Sequence, residues 1–206
     1  MVAVTRPARR LTQLYAGLLL YGASMALQIR AGLGLDPWDV FHQGVAERTG
    51  LSFGTVVIVT GALVLLAWVP LRQRPGFGTV SNVFVIGIAV DATLAVLPHA
   101  GSAPVAVAML LSGVGLNGVA GGAYIGAGLG PGPRDGLMTG LAARGHSIRV
   151  VRTALELTVL VSGWLLGGTV GIGTVVYALA IGPLAHIFIP LFQVGEPLRV
   201  DKPQPV

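Results

Sequence analysis

Two aspartates in equivalent places of a repeated passage have the clearest potential for chemistry. The passage Gly-Leu-Gly-Leu-Asp-Pro-Trp-Asp ends at Asp39, and Gly-Leu-Gly-Pro-Gly-Pro-Arg-Asp ends at Asp135, 96 residues later. In each, a proline starts a predicted helix and the aspartate is its third residue, where unpaired backbone N–H groups and the helix dipole favour a carboxylate. Two interpretations stay open: each aspartate caps its own helix, or both face a central cavity and bind a cation, a proton or an amine.

Four other ionisable residues are candidates for substrate binding or ion coupling. Arg134, beside Asp135, biases that site toward anions or partly neutralises it. Glu156 lies deep in a predicted span, where an unpaired charge costs at least roughly 2.5–3.5 kcal/mol, so it is either functional or paired with Arg152 four residues earlier. Asp91 and His186 occupy equivalent places in two other spans and could form steps of a proton path; simple hydrogen bonding is the alternative.

The composition predicts a membrane protein. Hydrophobic residues make up 53% of the 206 residues, charged residues only 10%, and the mean hydropathy is +0.80. The excess of 13 Lys and Arg over 8 Asp and Glu is therefore interpreted as a signal of membrane topology, and no nucleic-acid partner is expected. The chain has no cysteine and its four histidines are scattered, so we expect neither a metal site nor a cofactor.

Hydropathy and glycine or proline breakers predict six membrane-spanning helices. They cover residues 11–29, 53–71, 77–97, 104–126, 148–167 and 172–192. With the N-terminal segment 1–10 in the cytoplasm, every Lys and Arg except Arg30 and Arg48 falls on the cytoplasmic side. The sequence thus predicts a multi-spanning membrane protein with both termini cytoplasmic and a disordered tail at 193–206.

The repeat predicts the architecture. Residues 11–97 and 104–192 each contain three spans, an odd number, so the second repeat enters the membrane from the opposite face and the two are inverted. The fold class is therefore all-α, with two inverted three-helix repeats. Each repeat adds one short helix, 37–49 or 133–145, which at about 18–20 Å is too short to span and is either re-entrant or interfacial.

Small residues predict close helix packing. Gly118, Gly122 and Gly126 form a stripe on the fourth span, and Gly22 and Ala26 repeat part of it on the first. We expect the two stripes to face each other across the pseudo-symmetry axis; a homodimer contact is the alternative.

The order of motifs is similar to that of a known family. Gly-Leu-Gly-Leu-Asp-Pro-Trp-Asp, then Gly-Leu-Ser-Phe-Gly-Thr, then Arg-Pro-Gly-Phe-Gly-Thr resembles the YczE/YitT-like family of bacterial integral membrane proteins, over most of residues 10–192. The resemblance implies a multi-spanning inner-membrane protein, and some members are suspected of moving small molecules. It supplies no binding residues. The second passage has Gly132 where the first has Asp36, and Arg134 where it has Trp38, so any role of those two is not symmetric.

These features predict a permease or exporter of an unknown small molecule, which works by alternating access between the repeats. The alternative is a non-transporting scaffold, or a regulatory or substrate-capturing subunit of a larger complex. The lipid bilayer is the expected partner in either case. We expect no enzyme, because Ser112 and His186 are predicted to lie too far apart to act as nucleophile and base.

Overall fold

Seven of the eight helices in the described residues begin directly after a serine, glycine or aspartate; the first helix begins after Arg6. The computed structural model describes residues 6–194, and within them all regular structure is α-helical. The helices are α1 (Pro7–Ala31), α2 (Pro37–Thr49), α3 (Phe53–Leu71), α4 (Phe77–Val96), α5 (Ala103–Gly126), α6 (Pro133–Ala142), α7 (Ile148–Leu165) and α8 (Ile172–Phe192). The predictions for residues 1–5 and for the tail from residue 195 lie outside the described residues.

The predicted segments correspond to these helices one by one, and their bounds agree within two residues except at two ends. The short helix predicted for 133–145 ends earlier, at Ala142, and Gly145 turns the chain with a φ of 97°. The first predicted span begins earlier, at Pro7, because proline is favoured in the first turn of a helix.

Among the described residues, four helices, namely α3, α4, α5 and α8, are long and apolar enough to cross a membrane. The other two long helices carry more polar residues. Helix α1 contains Gln13, Ser24 and Gln28, and helix α7 contains Arg152 and Glu156. On α1 these polar groups bond within the protein: the Gln13 amide donates to the Ala123 carbonyl over 2.9 Å.

Helices α1 and α5 cross at the centre of the molecule and run antiparallel. Arg10 donates to the Ala127 carbonyl, and the Asn117 amide donates to the Ser24 hydroxyl, both over 2.9 Å. Residue numbers therefore rise along α1 as they fall along α5. Gly17 permits the close approach at one end, because a Cβ there would lie 2.8 Å from the backbone nitrogen of Tyr124.

The glycine stripes do not face each other, which corrects the expectation from the sequence. A Cβ on Gly22 would lie 2.6 Å from the Ala89 Cβ of α4, and one on Gly118 would lie 2.6 Å from the Leu184 Cβ of α8. The other stripe positions behave alike: Gly122 and Gly126 pack on α8, and Ala26 is buried with residues of α3 and α4. The stripe on α1 therefore packs within α1–α4, and the stripe on α5 packs within α5–α8. Other glycines, Gly17 and Gly113, form the contact between α1 and α5.

The loops before the short helices are anchored on the opposite half of the chain. Gly173, at the start of α8, donates its N–H to the Leu33 carbonyl over 2.7 Å. In the equivalent place, Gly78 of α4 donates to the Leu129 carbonyl over 2.8 Å. Gly34 needs to be glycine there, since its φ is 111° and a Cβ would lie 2.6 Å from the backbone nitrogen of Gly171.

Each short helix also packs on a long helix of the other half. A Cβ on Gly163 of α7 would clash with the backbone nitrogen of Phe41 in α2. A Cβ on Gly136 of α6 would clash with the Trp68 ring of α3, and the Trp68 indole donates to the Pro133 carbonyl over 3.0 Å. These exchanged contacts bring the first turns of α2 and α6 together in the middle of the molecule.

Candidate binding cavity

A cavity of about 510 Å³ lies where the first turns of α2 and α6 meet. Tyr21 and Asn117, from the middle of α1 and α5, form part of its wall. Its charged lining residues are Asp36, Arg134, Asp135, Arg152 and Glu156. Such a volume, with mostly apolar walls and a few polar groups, is typical of a site for a small molecule.

Asp36 caps helix α2 at the edge of this cavity. Its Oδ1 accepts hydrogen bonds from the backbone N–H groups of Trp38 at 2.9 Å and of Asp39 at 3.2 Å. The interpretation of Asp39 as the cap of its own helix is therefore wrong. The residue before Pro37 takes that role because its side chain points back along the first turn, as an N-cap aspartate does.

Asp39 is almost fully buried beside the cavity, at 1% exposure. One of its oxygens, Oδ1, lies 3.1 Å from His42 Nδ1 and 3.7 Å from Arg134 Nη2. The first candidate from the sequence thus lies in a buried polar cluster, and His42 connects this cluster to the cavity wall.

Arg134 joins the two halves of the chain. From the first turn of α6, its Nη1 lies 3.8 Å from Asp36 Oδ1, and its guanidinium carbon lies 5.0 Å from the centre of the Trp38 ring. The two aspartates are buried, so they depend on this cation to compensate for lost solvation. Trp38 and Arg134, which occupy equivalent positions in the two repeated passages, therefore contact each other as an aromatic ring and a cation.

Asp135 lies in the cavity wall and accepts a hydrogen bond from the Tyr124 hydroxyl, 3.3 Å from its Oδ2. Among the described residues it forms no ion pair. Gly132 takes the place that Asp36 has in α2 and has no side chain to cap helix α6, and the Asp135 carboxyl accepts a hydrogen bond from the Gly132 backbone instead.

Glu156 also lines the cavity, and its Oε1 lies 2.9 Å from Arg152 Nε. This is the local pair, four residues apart, that the sequence offered as the structural alternative. Both side chains are partly exposed, at 56% for Arg152 and 35% for Glu156, so the pair contributes little to stability.

Asp91 and His186 lie outside the cavity. Asp91 accepts hydrogen bonds from Ser52 Oγ at 2.6 Å and from the Gly54 N–H at 2.7 Å, which connects α4 to the first turn of α3. His186 is exposed on α8. The structure does not bring the two together, and the proton path stays a prediction.

A buried network holds the middle of the cavity wall. Tyr177 donates to Asn117 Oδ1 over 3.1 Å, and Asn117 donates to Ser24 Oγ over 2.9 Å. Both amide atoms of Asn117 therefore have partners, and the network keeps α1, α5 and α8 in register at this level. Within residues 6–194, no three His, Asp or Glu side chains are grouped to hold a metal ion.

Residues 8–190 match a family of unknown function, DUF6198. The chain belongs to this family. A relative from Haemophilus influenzae, named only as an uncharacterized protein, is 37% identical over 186 residues, which are 90% of this chain and 85% of the relative. The uncharacterized membrane protein YczE of Bacillus subtilis is 34% identical over 185 residues, 88% of this chain and 86% of that protein.

A third relative, the uncharacterized protein YyaS of B. subtilis, is 27% identical over 184 residues, 86% of this chain and 90% of its own length. The similarity to YczE confirms the resemblance found in the sequence, and with the apolar helices it identifies an integral membrane protein. No solved structure matches the protein.

Sequence reasoning missed Asp36 and the aromatic part of the cavity wall in this DUF6198 protein. The dipeptide Asp36-Pro37 carries a usable signal, because aspartate at the N-cap followed by proline in the first turn is typical of a helix start. Tyr124 and Tyr177 carry none, since a tyrosine within an apolar span looks alike whether it faces lipid or a cavity.

Proposed function

We propose that this family member is a permease or exporter of a small molecule in the bacterial inner membrane, and that it works by alternating access between two inverted repeats. The observation that carries this proposal is the charged cavity at the meeting point of two short helices inside an apolar bundle. Binding sites of secondary transporters commonly lie between repeats, at the ends of interrupted helices.

Six spanning helices are part of the proposal, with α1 and α7 added to the four most apolar ones. The polar groups of α1 are supported by bonds to α5, and the charges of α7 lie at the cavity. An ionisable residue within a membrane is tolerated when it is paired or faces such a cavity.

The inverted arrangement is supported by reciprocal contacts between α1 and α5. Gly17 packs against Ala120 and Tyr124, and Gly113 packs against Ser24 and Gln28. At the 96-residue offset of the repeat, Gly113 is the equivalent of Gly17. In the same way, Ser24 and Gln28 are the equivalents of Ala120 and Tyr124. Reciprocal contacts of this kind are what a two-fold axis between antiparallel helices produces.

The short helices are proposed to be re-entrant. The loops before them follow opposite ends of the antiparallel pair α1 and α5, yet Asp36 and Arg134 approach to 3.8 Å. Each loop therefore turns back toward the middle of the molecule before its helix begins. Non-helical backbone at this depth is tolerated where it is buried in protein or lines a cavity.

The charges support an orientation with both termini in the cytoplasm. Arg144 contacts the Pro70 carbonyl, which brings the basic ends of α3 and α6 to one side. Arg48 contacts the Leu166 carbonyl at the other end of α7, where basic residues are few. Positively charged loops favour the cytoplasm.

Cysteine accessibility tests the proposal, and the natural chain contains no cysteine. Gly121 and Gly115 both lie on α5 with open space for a Cβ, but only Gly121 belongs to the cavity lining. We expect Gly121→Cys to react with a membrane-impermeant thiol reagent from both sides of the membrane, in spheroplasts and in inside-out vesicles. Gly115→Cys is the matched control and should react from neither side.

Labelling of Gly121→Cys from one side only, or from neither, would contradict alternating access. It would favour the non-transporting scaffold or subunit, for which a fixed cavity is sufficient.

A further inference from the structure

The two aspartates at the start of α2 form a buried pair beside the cavity. Asp36 is 3% exposed and Asp39 is 1% exposed, and their carboxyl groups lie within hydrogen-bond reach of each other. A carboxylate can only accept a hydrogen bond, so a bond between two carboxyl groups requires a proton on one of them. Two like charges this close also repel each other strongly away from water. The contact therefore favours one shared proton over two bare carboxylates.

The count of charges around the pair leads to the same result. Within residues 6–194, Arg134 is the only arginine or lysine in ion-pair contact with either carboxyl, at 3.8 Å from Asp36 Oδ1 and 3.7 Å from Asp39 Oδ1. Arg134 also acts on Asp135, the next residue of α6. Two carboxylates against one guanidinium leave a negative charge in excess, and an uncompensated buried charge is costly. One proton on the pair removes that excess.

His42 is the other titratable group in contact with the pair. Its Nδ1 lies 3.1 Å from Asp39 Oδ1, and its side chain is buried. The rings of Trp38 and Phe53 flank the imidazole, with ring centroids 6.4 Å and 5.9 Å away. Burial and the nearby Arg134 both disfavour an imidazolium. A neutral imidazole can still donate to Asp39 from Nδ1, and this leaves the proton on the carboxyl pair.

The other groups that face the pair do not supply a positive charge. They are the buried hydroxyls of Tyr21 on α1 and Tyr177 on α8, both close enough to interact electrostatically with the two aspartates. Helices α3 and α7 also pack on α2, and among the described residues they contribute no ion pair to either carboxyl. A proton is therefore the simplest cation that balances the pair.

The pair connects the cavity with both halves of the protein. Asp36, His42 and Arg134 all line the cavity, so a proton can reach the pair from water there. The aspartates belong to the first repeat and Arg134 to the second. A pair without its proton attracts Arg134 more strongly than a pair that carries one. Proton binding thus alters the attraction between the halves, and a coupling ion must have such a differential interaction.

We propose that the Asp36–Asp39 pair is the site of a coupling proton. The proton passes from water on one side of the membrane to a carboxylate oxygen of the pair, and it returns to water on the other side when the cavity changes its opening. Only this O–H bond forms and breaks. The inference rests on the proposed transport function and names its coupling ion.

Infrared spectroscopy of the full-length, detergent-purified protein tests the proton site, because only a protonated carboxyl gives the carbonyl band of a carboxylic acid. We expect this band at neutral pH and its loss at alkaline pH. Asp36→Asn and Asp39→Asn should each remove the intensity of one whole carboxyl group, since the remaining carboxylate is balanced by Arg134. Asparagine is also a good N-cap, so Asp36→Asn keeps the start of α2.

Asp91→Asn is the matched control for these variants. Asp91 lies outside the cavity and accepts hydrogen bonds from Ser52 and Gly54, so its replacement should leave the band unchanged.

The labelling of Gly121→Cys from the two sides tests the coupling. The ratio of outside to inside labelling, taken at equal pH on both faces, cancels the response of the thiol itself to pH. We expect this ratio to change with pH, by at most about tenfold per pH unit for one proton. The dependence should disappear when Asp36→Asn is added.

The inference is overturned if the neutral protein has no carboxylic-acid band, if the band persists at alkaline pH, or if Asp36→Asn and Asp39→Asn leave it as Asp91→Asn does. It is also overturned if Gly121→Cys reacts from both sides in a ratio that does not change with pH. That last result would leave the transport proposal standing and remove only the proton. Labelling from one side only contradicts transport itself, whereas the infrared band tests the proton site independently.

Discussion

The starts of α2 and α6 occupy equivalent places in the chain, yet one is closed and the other is open. At α2 an aspartate caps the helix, and Asp36 and Asp39 are both buried. At α6 the cap position is Gly132, and the side chain of Arg134 leaves its own helix to reach those aspartates. The arrangement of backbone is repeated, whereas the charged side chains differ between the two helix starts.

Removal of Arg134 is expected to have the largest effect on this comparison. Arg134→Met leaves two buried aspartates without their cation, and breaking such a buried pair costs about 3–5 kcal/mol. The free energy of unfolding in detergent measures the loss. Arg144→Met, which removes a peripheral contact, is the control, and an equal loss in both variants would contradict the role given to Arg134.

The second-largest loss of stability is expected when a side chain is added where α6 packs on α3. Gly136→Ala places a Cβ against the Trp68 ring, and such overpacking costs typically about 1–3 kcal/mol. The melting temperature of purified protein measures the effect. Gly140→Ala on the same helix meets the flexible Gln73 side chain at 3.0 Å and should be milder; the reverse order would show that α6 does not depend on its contact with α3.

Loss of the cap residue of α2 should reduce the free energy of unfolding more than loss of the aspartate of α6. Asp36→Ala removes two backbone hydrogen bonds, which for an N-cap is worth about 0.5–2 kcal/mol, and one of the two carboxylates beside Arg134, which keeps Asp39 as its partner. Asp135→Ala removes the hydrogen bond from Tyr124, worth about 1 kcal/mol. Chemical denaturation compares the two, and a larger loss for Asp135→Ala would reverse the assignment of closed and open starts.

Glu156→Gln should have the smallest effect on stability. It removes a partly exposed pair on α7, and pairs four residues apart on a helix contribute about 0.2–0.5 kcal/mol. Unfolding at low and at high salt measures this, with the difference between parent and variant expected to shrink as salt rises. A loss of several kcal/mol would assign Glu156 to the buried polar cluster instead.

The helices could be predicted from the sequence, because hydropathy and the residues Gly, Pro and Ser that mark their ends act locally. The short helices were found from Pro37 and Pro133 for the same reason. The packing partner of the glycine stripe on α5 could not be predicted, since a stripe of small residues indicates close packing but does not identify the other helix. The ion pairs of Arg134 depend on contacts between distant parts of the chain, so neither the pattern at α6 nor that at α2 reveals them alone.

The exchange of packing partners between the halves has a consequence for synthesis. The side chain of Gln43 in α2 accepts a hydrogen bond from the backbone of Thr169, 126 residues further along the chain. At a synthesis rate of about 5–20 residues per second, α2 leaves the ribosome about 6–25 seconds before that partner exists. With α2 re-entrant as proposed, we expect its packing to be completed only after α7 and Thr169 have been translated.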